Sequence, residues 1–139
     1  MKLIIPGEPV PKLRARTVST SHGVRTYTPS KTADAEDRIR LAWIQAGRPQ
    51  FSPGTALRMS VCAYMSKPPS APKKRRFPIT RPDVDNIWKL CADSLNGLAY
   101  DDDARIVVAY IEKRYVEYPD TPRTEIEIEE ERDVKVVSL

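Results

Sequence analysis

The stretch RPDVDNIWKLCADSLNGLAYDDDARI, residues 81–106, places Asp83 and Asp85 one residue apart and then sets Asp101, Asp102 and Asp103 in a row. Carboxylates crowded in this way repel one another, so they stand either in open solvent or around a cation. Pro82 disfavours a helical conformation at Arg81, and Asp83 is a good N-cap for a helix that begins at that point. A cap residue is not itself helical, so its carboxylate can swing toward that of Asp85 on the first turn. Lys89 lies four residues after Asp85, one turn along the same helix face. The triple aspartate leads into a long strand, and the order helix, turn, adjacent strand can fold Asp102 or Asp103 back toward the helix start. Three carboxylates with a lysine behind them would suit a hard cation such as Mg²⁺, which stabilises phosphate charge and activates water.

Plainer roles remain open for the same residues. Asp83 can simply cap the helix, Asp85 and Lys89 can form a surface pair contributing about 0.3–0.5 kcal/mol, and the triple aspartate can be a solvated turn. An EF-hand is excluded, because DVDNIWKLCADS carries Trp88 and Ser94 where the loop needs glycine and an acid. A DxD nucleotide-sugar site has the right spacing, but the chain is short for a glycosyltransferase domain.

Composition narrows the chemistry further. With 139 residues the chain fits one domain, 1–139, built on one core. His22 is the only histidine and sits in a polar segment, which removes Ser/His and Cys/His hydrolysis and most zinc chemistry. Cys62 and Cys91 belong to no CxxC pair and read as buried reduced thiols. No apolar run approaches the roughly 20 residues of a membrane span, and MKLIIPGEPVPK meets proline and charge too early for a signal peptide, so a soluble cytoplasmic protein is expected.

The net charge of +4 is unevenly spread. Before Asp34 the only acid is Glu8, against Lys2, Lys12, Arg14, Arg16, Arg25 and Lys31. The stretch KPPSAPKKRRFPITRP adds Lys67, Lys73, Lys74, Arg75, Arg76 and Arg81 with no acid among them. Both stretches suit a polyanion, although a charge run is also what a solvated face looks like. Lys73 to Arg76 stand just upstream of Asp83, beside Arg81. Arg14 and Arg16, with Lys12, offer a second cationic arm for phosphate contact. Phe77 is suited to stack on a base, or equally to a minor core role.

The elements that must position these residues follow from periodicity. KLIIPGEPV is a short strand broken by Pro6 and Gly7, and PKLRARTVSTSHGVRTYTPS reads as a long loop suited to ordering against a ligand. Ser30 or Thr32 can cap a first helix through ADAEDRIRLAWIQAG, with Ala35, Ile39, Ala42 and Ile44 inward and Gly47 at its end. Leu57, Met59, Val61 and Ala63 share one face of a strand, and the basic residues 67–82 form a loop. Ile87, Leu90, Cys91 and Leu95 give the second helix its apolar stripe, and Gly97 stops it. ARIVVAYIEKRYVEY is a long strand, PDTP a reversal, and RTEIEIEEE a strand with Ile126 and Ile128 inward and its glutamates toward water. VKVVSL suits a short strand or an exchanged tail. The order βαβαββ predicts an α+β (α/β two-layer) domain, a mixed β-sheet with two helices packed on it.

The 81–106 stretch also resembles the signature of the RusA-type Holliday-junction resolvases, small endonucleases of prophages and bacteria. The shared features are DxDN, a lysine three residues after that Asn, a DxLNG helix end and DDA before a long strand. Looser similarity extends to PVPKLRARTV…RTYTP and the first helix. The resemblance implies a RusA-like fold, with Asp83, Asp85 and Asp103 as catalytic metal-binding carboxylates and Lys89 as the catalytic lysine. Asp102 is the substitute if the turn is shifted by one, because this chain has an extra acid, Asp101. It further implies a homodimer that nicks four-way DNA junctions in symmetric pairs with Mg²⁺, or Mn²⁺ in its place, and no membrane association. Two competitors stay open on the residues alone: a non-catalytic binder of branched DNA, and a phosphate-ester enzyme acting on nucleotides, which would not need two long cationic arms.

Overall fold

The computed structural model describes residues 1–132, so VKVVSL lies outside the described residues. The chain forms β1 (Lys2–Pro6), β2 (Arg16–Thr20), β3 (Gly23–Tyr27), α1 (Ser30–Gln45), β4 (Leu57–Met65), α2 (Val84–Leu95), a one-turn 3₁₀ helix (Asp103–Arg105), β5 (Ile106–Tyr115) and β6 (Arg123–Glu130). Four strands make one mixed sheet in the order β1-β6-β4-β5, and β2 pairs only with β3 in a separate two-stranded sheet. This is the expected α+β arrangement of a mixed sheet with two helices.

The alternating sequence of β4 buries Leu57, Met59, Val61 and Ala63 completely on one sheet face. Ile126 and Ile128 of β6 and Leu3 and Ile5 of β1 continue that face across the sheet. The two helices cover it. Ile87, Leu90, Cys91 and Leu95 fall on one side of α2 at three- and four-residue spacing, and all four are buried. β4 and β5 run parallel, joined by the crossover through α2. The reversal at 119–122 then carries β6 to the far side of β4, antiparallel to both β4 and β1.

Three expectations are corrected. The segment predicted as a long loop contains the β2–β3 hairpin, whose ten strand residues are all exposed. The first helix is preceded by Pro29 at its cap position, and neither Ser30 nor Thr32 caps it. Thr32 is instead buried, and its hydroxyl accepts from the Leu13 N–H at 3.1 Å. The buried stripe of α1 is Thr32, Ala35, Glu36, Ile39 and Trp43, which turns Ile44 outward, since adjacent helical residues point about 100° apart. Gly47 does end the turn, in the left-handed region at φ +95°, with its N–H bonded to the Ile44 carbonyl. Cys91 is buried as expected, and Cys62 is half-buried on the open sheet face, with its thiol directed at Glu112.

Candidate active site

The polar face of α2 carries the first part of the acidic motif. Asp83 occupies the N-cap position in extended conformation, and its carbonyl accepts the Ile87 N–H, but its carboxylate makes no capping bond. That leaves the Asp83 side chain exposed, next to the exposed Asp85. The i,i+4 ion pairs that form are Arg40–Glu36 and Arg105–Asp101, and the surface pair open to Asp85 and Lys89 is not among those of the described residues. Asp85, Lys89 and Asp93 lie four residues apart along one stripe of the helix.

The turn after α2 returns the chain to this stripe. The buried Tyr100 hydroxyl donates to the Ala92 carbonyl at 2.7 Å, and the Gly97 N–H bonds the Tyr100 carbonyl at 2.7 Å. The three aspartates then separate in role. Asp101 pairs with Arg105 at 3.0 Å, which holds its carboxyl below the usual range. Arg105 in turn donates to the carbonyls of Thr55 and Ser52, pinning the turn to the loop before β4. Asp102 accepts the Ala104 N–H at 2.9 Å and so caps the 3₁₀ turn. Asp103 touches Asp102, whose hydrogen bond and charge push its carboxyl upward; Asp93 pushes the same way, and the Lys89 ammonium opposes them. Of the three, Asp103 is the one whose carboxyl is pushed upward.

Two tethers around α2 escaped the reading of the sequence. The Lys12 ammonium bridges Glu36 at 3.3 Å and Asp93 at 3.2 Å, while its backbone N–H bonds the Asn86 carbonyl at 2.9 Å. The half-buried Lys113 of β5 donates to the carbonyls of Thr80 and Pro82, both at 2.9 Å, fixing the strand to the segment that leads into Asp83. Proximity across the sheet carries no local signal, so Lys12 was within reach of sequence reasoning only as a member of the basic stretch suited to phosphate contact, and Lys113 not at all. An open cleft of about 490 Å³ runs along the start of α2, lined by Asp83, Asn86, Lys12, Lys31 and Arg81.

The remaining predicted cations are spread more widely. Arg14 and Arg16 are exposed at the base of the β2–β3 hairpin. Lys73, Lys74 and Arg76 are exposed, and Arg75 is half-buried, on a loop curled by the Lys67 ammonium, which binds the carbonyls of Lys73 and Arg75. Arg76 and the exposed Phe77 line a second cleft, about 550 Å³, together with Arg114 and Arg123. Phe77 has no core role. Among the described residues, no three acidic, histidine or cysteine side chains stand close enough together to form a ready-made metal site. The structure thus sets Asp83 and Asp85 at the start of the helix that carries Lys89, gives Asp103 a pKa influenced by the charges of Asp93 and Lys89, and does not gather the three carboxylates among the described residues.

Fold and site together define a small α+β protein with exposed carboxylates and cations near the start of α2. Residues 6–129 match the family Endodeoxyribonuclease RusA, and the chain belongs to that family. It is similar to the protein YqaN of Bacillus subtilis (strain 168), at 33% identity over 140 residues, covering 94% of this chain and 96% of the relative. Membership makes this an endodeoxyribonuclease-family chain. No helix among the described residues is long and apolar enough to cross a membrane.

Proposed function

We propose that this chain is a Mg²⁺-dependent, structure-selective endodeoxyribonuclease that resolves four-way DNA junctions by paired symmetric nicks. The observation that carries the reading is the start of α2, where the exposed carboxylate of Asp83, free of any capping bond, borders a cleft that also holds Lys31 and Arg81, with the exposed Asp85 on the same turn. Asp83, Asp85 and Asp103, with Asp102 as substitute, are the residues that would hold the ion. The donors are all carboxylates, the hard oxygen ligands that Mg²⁺ and Mn²⁺ accept, and the crowded Asp102–Asp103 pair is a concentration of negative charge that a cation relieves. When bound, the ion supplies a Lewis acid for the phosphate and a water of lowered pKa.

The chain's own residues do the rest. Arg81 and Lys31 offset the negative charge of the acids where the backbone approaches, because a bare carboxylate cluster would repel DNA. Lys89, held within the field of Asp103, orients the attacking water or stabilises charge developing on the phosphate. Arg14, Arg16, Lys73, Lys74, Arg75 and Arg76 contact phosphates farther from the cut, with Lys12 holding the base of the first arm. Two such sites related by a twofold axis would cut opposite strands, which calls for a homodimer.

A labelled four-way junction and a matching linear duplex, incubated with and without Mg²⁺, test the reading. Paired nicks in the junction alone, lost in Asp85→Asn with binding retained, are expected. Near wild-type cutting by Asp85→Asn would sink the assignment of the acids. That no three ligands are gathered among the described residues favours one second reading, a branched-DNA-binding protein without catalysis. It predicts tight junction binding that is indifferent to Mg²⁺ and Mn²⁺, and no nicks.

A further inference from the structure

The β2–β3 hairpin is a two-stranded ribbon in which every strand residue is exposed, including Val18, Val24 and Tyr27. A hairpin with no buried face is marginal by itself, so its ordering belongs with something it binds. Its base is fixed at the candidate active site. Lys12 is bonded to Asn86, next to Asp85, and Leu13 is bonded to Thr32 of α1, three residues before the first strand begins. Its tip is closed by the Thr20 hydroxyl donating to the Gly23 carbonyl at 2.8 Å and by Gly23 in the left-handed region at φ +116°.

The register sorts the side chains. Arg16 stands opposite Tyr27 and Val18 opposite Arg25, so these four share one face. Thr17, Ser19, Val24 and Thr26 share the other, with the Thr17 and Thr26 hydroxyls 3.5 Å apart. One face is therefore cationic and partly aromatic, and the other is small and neutral. No acid lies between Glu8 and Asp34, so nothing along the ribbon offsets the arginines. A two-stranded ribbon is also one of the two protein elements that the major groove of B-DNA, about 12 Å wide, admits.

We infer that the β2–β3 ribbon is a duplex-gripping arm that lies in the major groove of the DNA next to the cleavage site, with the Arg16, Val18, Arg25 and Tyr27 face toward the DNA. The inference rests on the DNA-cleaving reading of the same site and adds the element and groove through which the duplex is held. The arm fixes where the duplex lies relative to Asp83 and Asp85, because its base and those carboxylates are bonded to the same helix turn.

The test compares wild type, Arg16→Ala/Arg25→Ala, Arg16→Lys/Arg25→Lys and Thr17→Ala/Thr26→Ala in junction binding at several salt concentrations, with protection of guanine N7 from methylation as the groove readout. The alanine pair is expected to lower the slope of log affinity against log salt by about 2, to weaken binding on the order of 10- to 100-fold, and to lose N7 protection in one arm. The lysine pair should keep the slope, and the threonine pair should keep both slope and protection. All substituted side chains are exposed, and equal thermal midpoints confirm that the variants are folded. If wild type binds and cuts the junction while the alanine pair matches it in slope and protection, the inference falls and the proposed function stands. Failure of wild type to bind any DNA overturns both. Loss of dimer by light scattering in the alanine pair, with an unchanged salt slope, would instead make the arm a contact between two copies and would also overturn the inference.

Discussion

Lys12 belongs to a basic stretch, yet its ammonium is spoken for, and replacing it distinguishes an anchor from a phosphate contact. The Lys12 side chain is 25% exposed, and its partners Glu36 and Asp93 are 10% and 29% exposed. A fully exposed pair contributes up to about 1 kcal/mol, and breaking a buried pair costs about 3–5 kcal/mol. Lys12→Met falls between these limits. The methionine keeps the apolar stem, Glu36 retains Arg40 at 3.2 Å, and Asp93 can regain water. The expected loss is about 2 kcal/mol. With an unfolding entropy of about 2.1 cal/mol/K per residue, that corresponds to a drop of about 7 °C in midpoint. Thermal unfolding by circular dichroism measures it, and a double-mutant cycle with Glu36→Gln should return a coupling of about 1 kcal/mol. Junction binding should keep its salt slope. A midpoint within about 2 °C of wild type, together with a slope lowered by about 1, would show that Lys12 faces phosphate and that the ion pairs contribute little.

Three other outcomes follow from the same contacts. Asp103→Asn should cut junctions at least about 100-fold more slowly with binding retained, a loss of the size seen when charge stabilisation at a reacting centre is removed, whereas Asp101→Asn, which only loses Arg105, should cut at near wild-type rate; single-turnover kinetics that reverse this order would reassign the turn. Trp43 is completely buried with its indole N–H unpartnered, so Trp43→Phe should cost less than about 1 kcal/mol in urea unfolding while Trp43→Ala costs about 3–5 kcal/mol. Glu125 is held below its usual 4.5, first by the hydrogen bond from Lys2 and then by that from Arg123. A carboxyl lowered on folding stabilises above its unfolded value and loses that contribution as pH falls through the folded one, so the midpoint gap between wild type and Glu125→Gln should shrink below about pH 4.5; a gap that stays constant to lower pH would discount the pairs.

Much of the frame was legible along the chain. β4 alternates because one of its faces is buried in the shared core beneath the helices, and α2 repeats its apolar residues at three and four because one side of it is buried. Those periods are local consequences of burial, and the acidic motif could be placed on them before any coordinates were known. The ribbon of residues 16–27 left no such trace. A strand with no buried face has no reason to alternate, so its sequence reads as polar loop.

The division of labour among the three aspartates was likewise invisible. Asp101 is drawn aside by Arg105, whose own position depends on carbonyls some 50 residues away in the loop before β4. Residue order alone showed carboxylates, a lysine and two cationic stretches at spacings suited to a phosphate backbone. Tertiary structure decided which of them meet: Lys12 with Glu36 and Asp93, and the arm with the first turn of α2. Those contacts join residues distant in the chain across the sheet and between helices, and their geometry is set by packing of the shared core rather than by any local pattern.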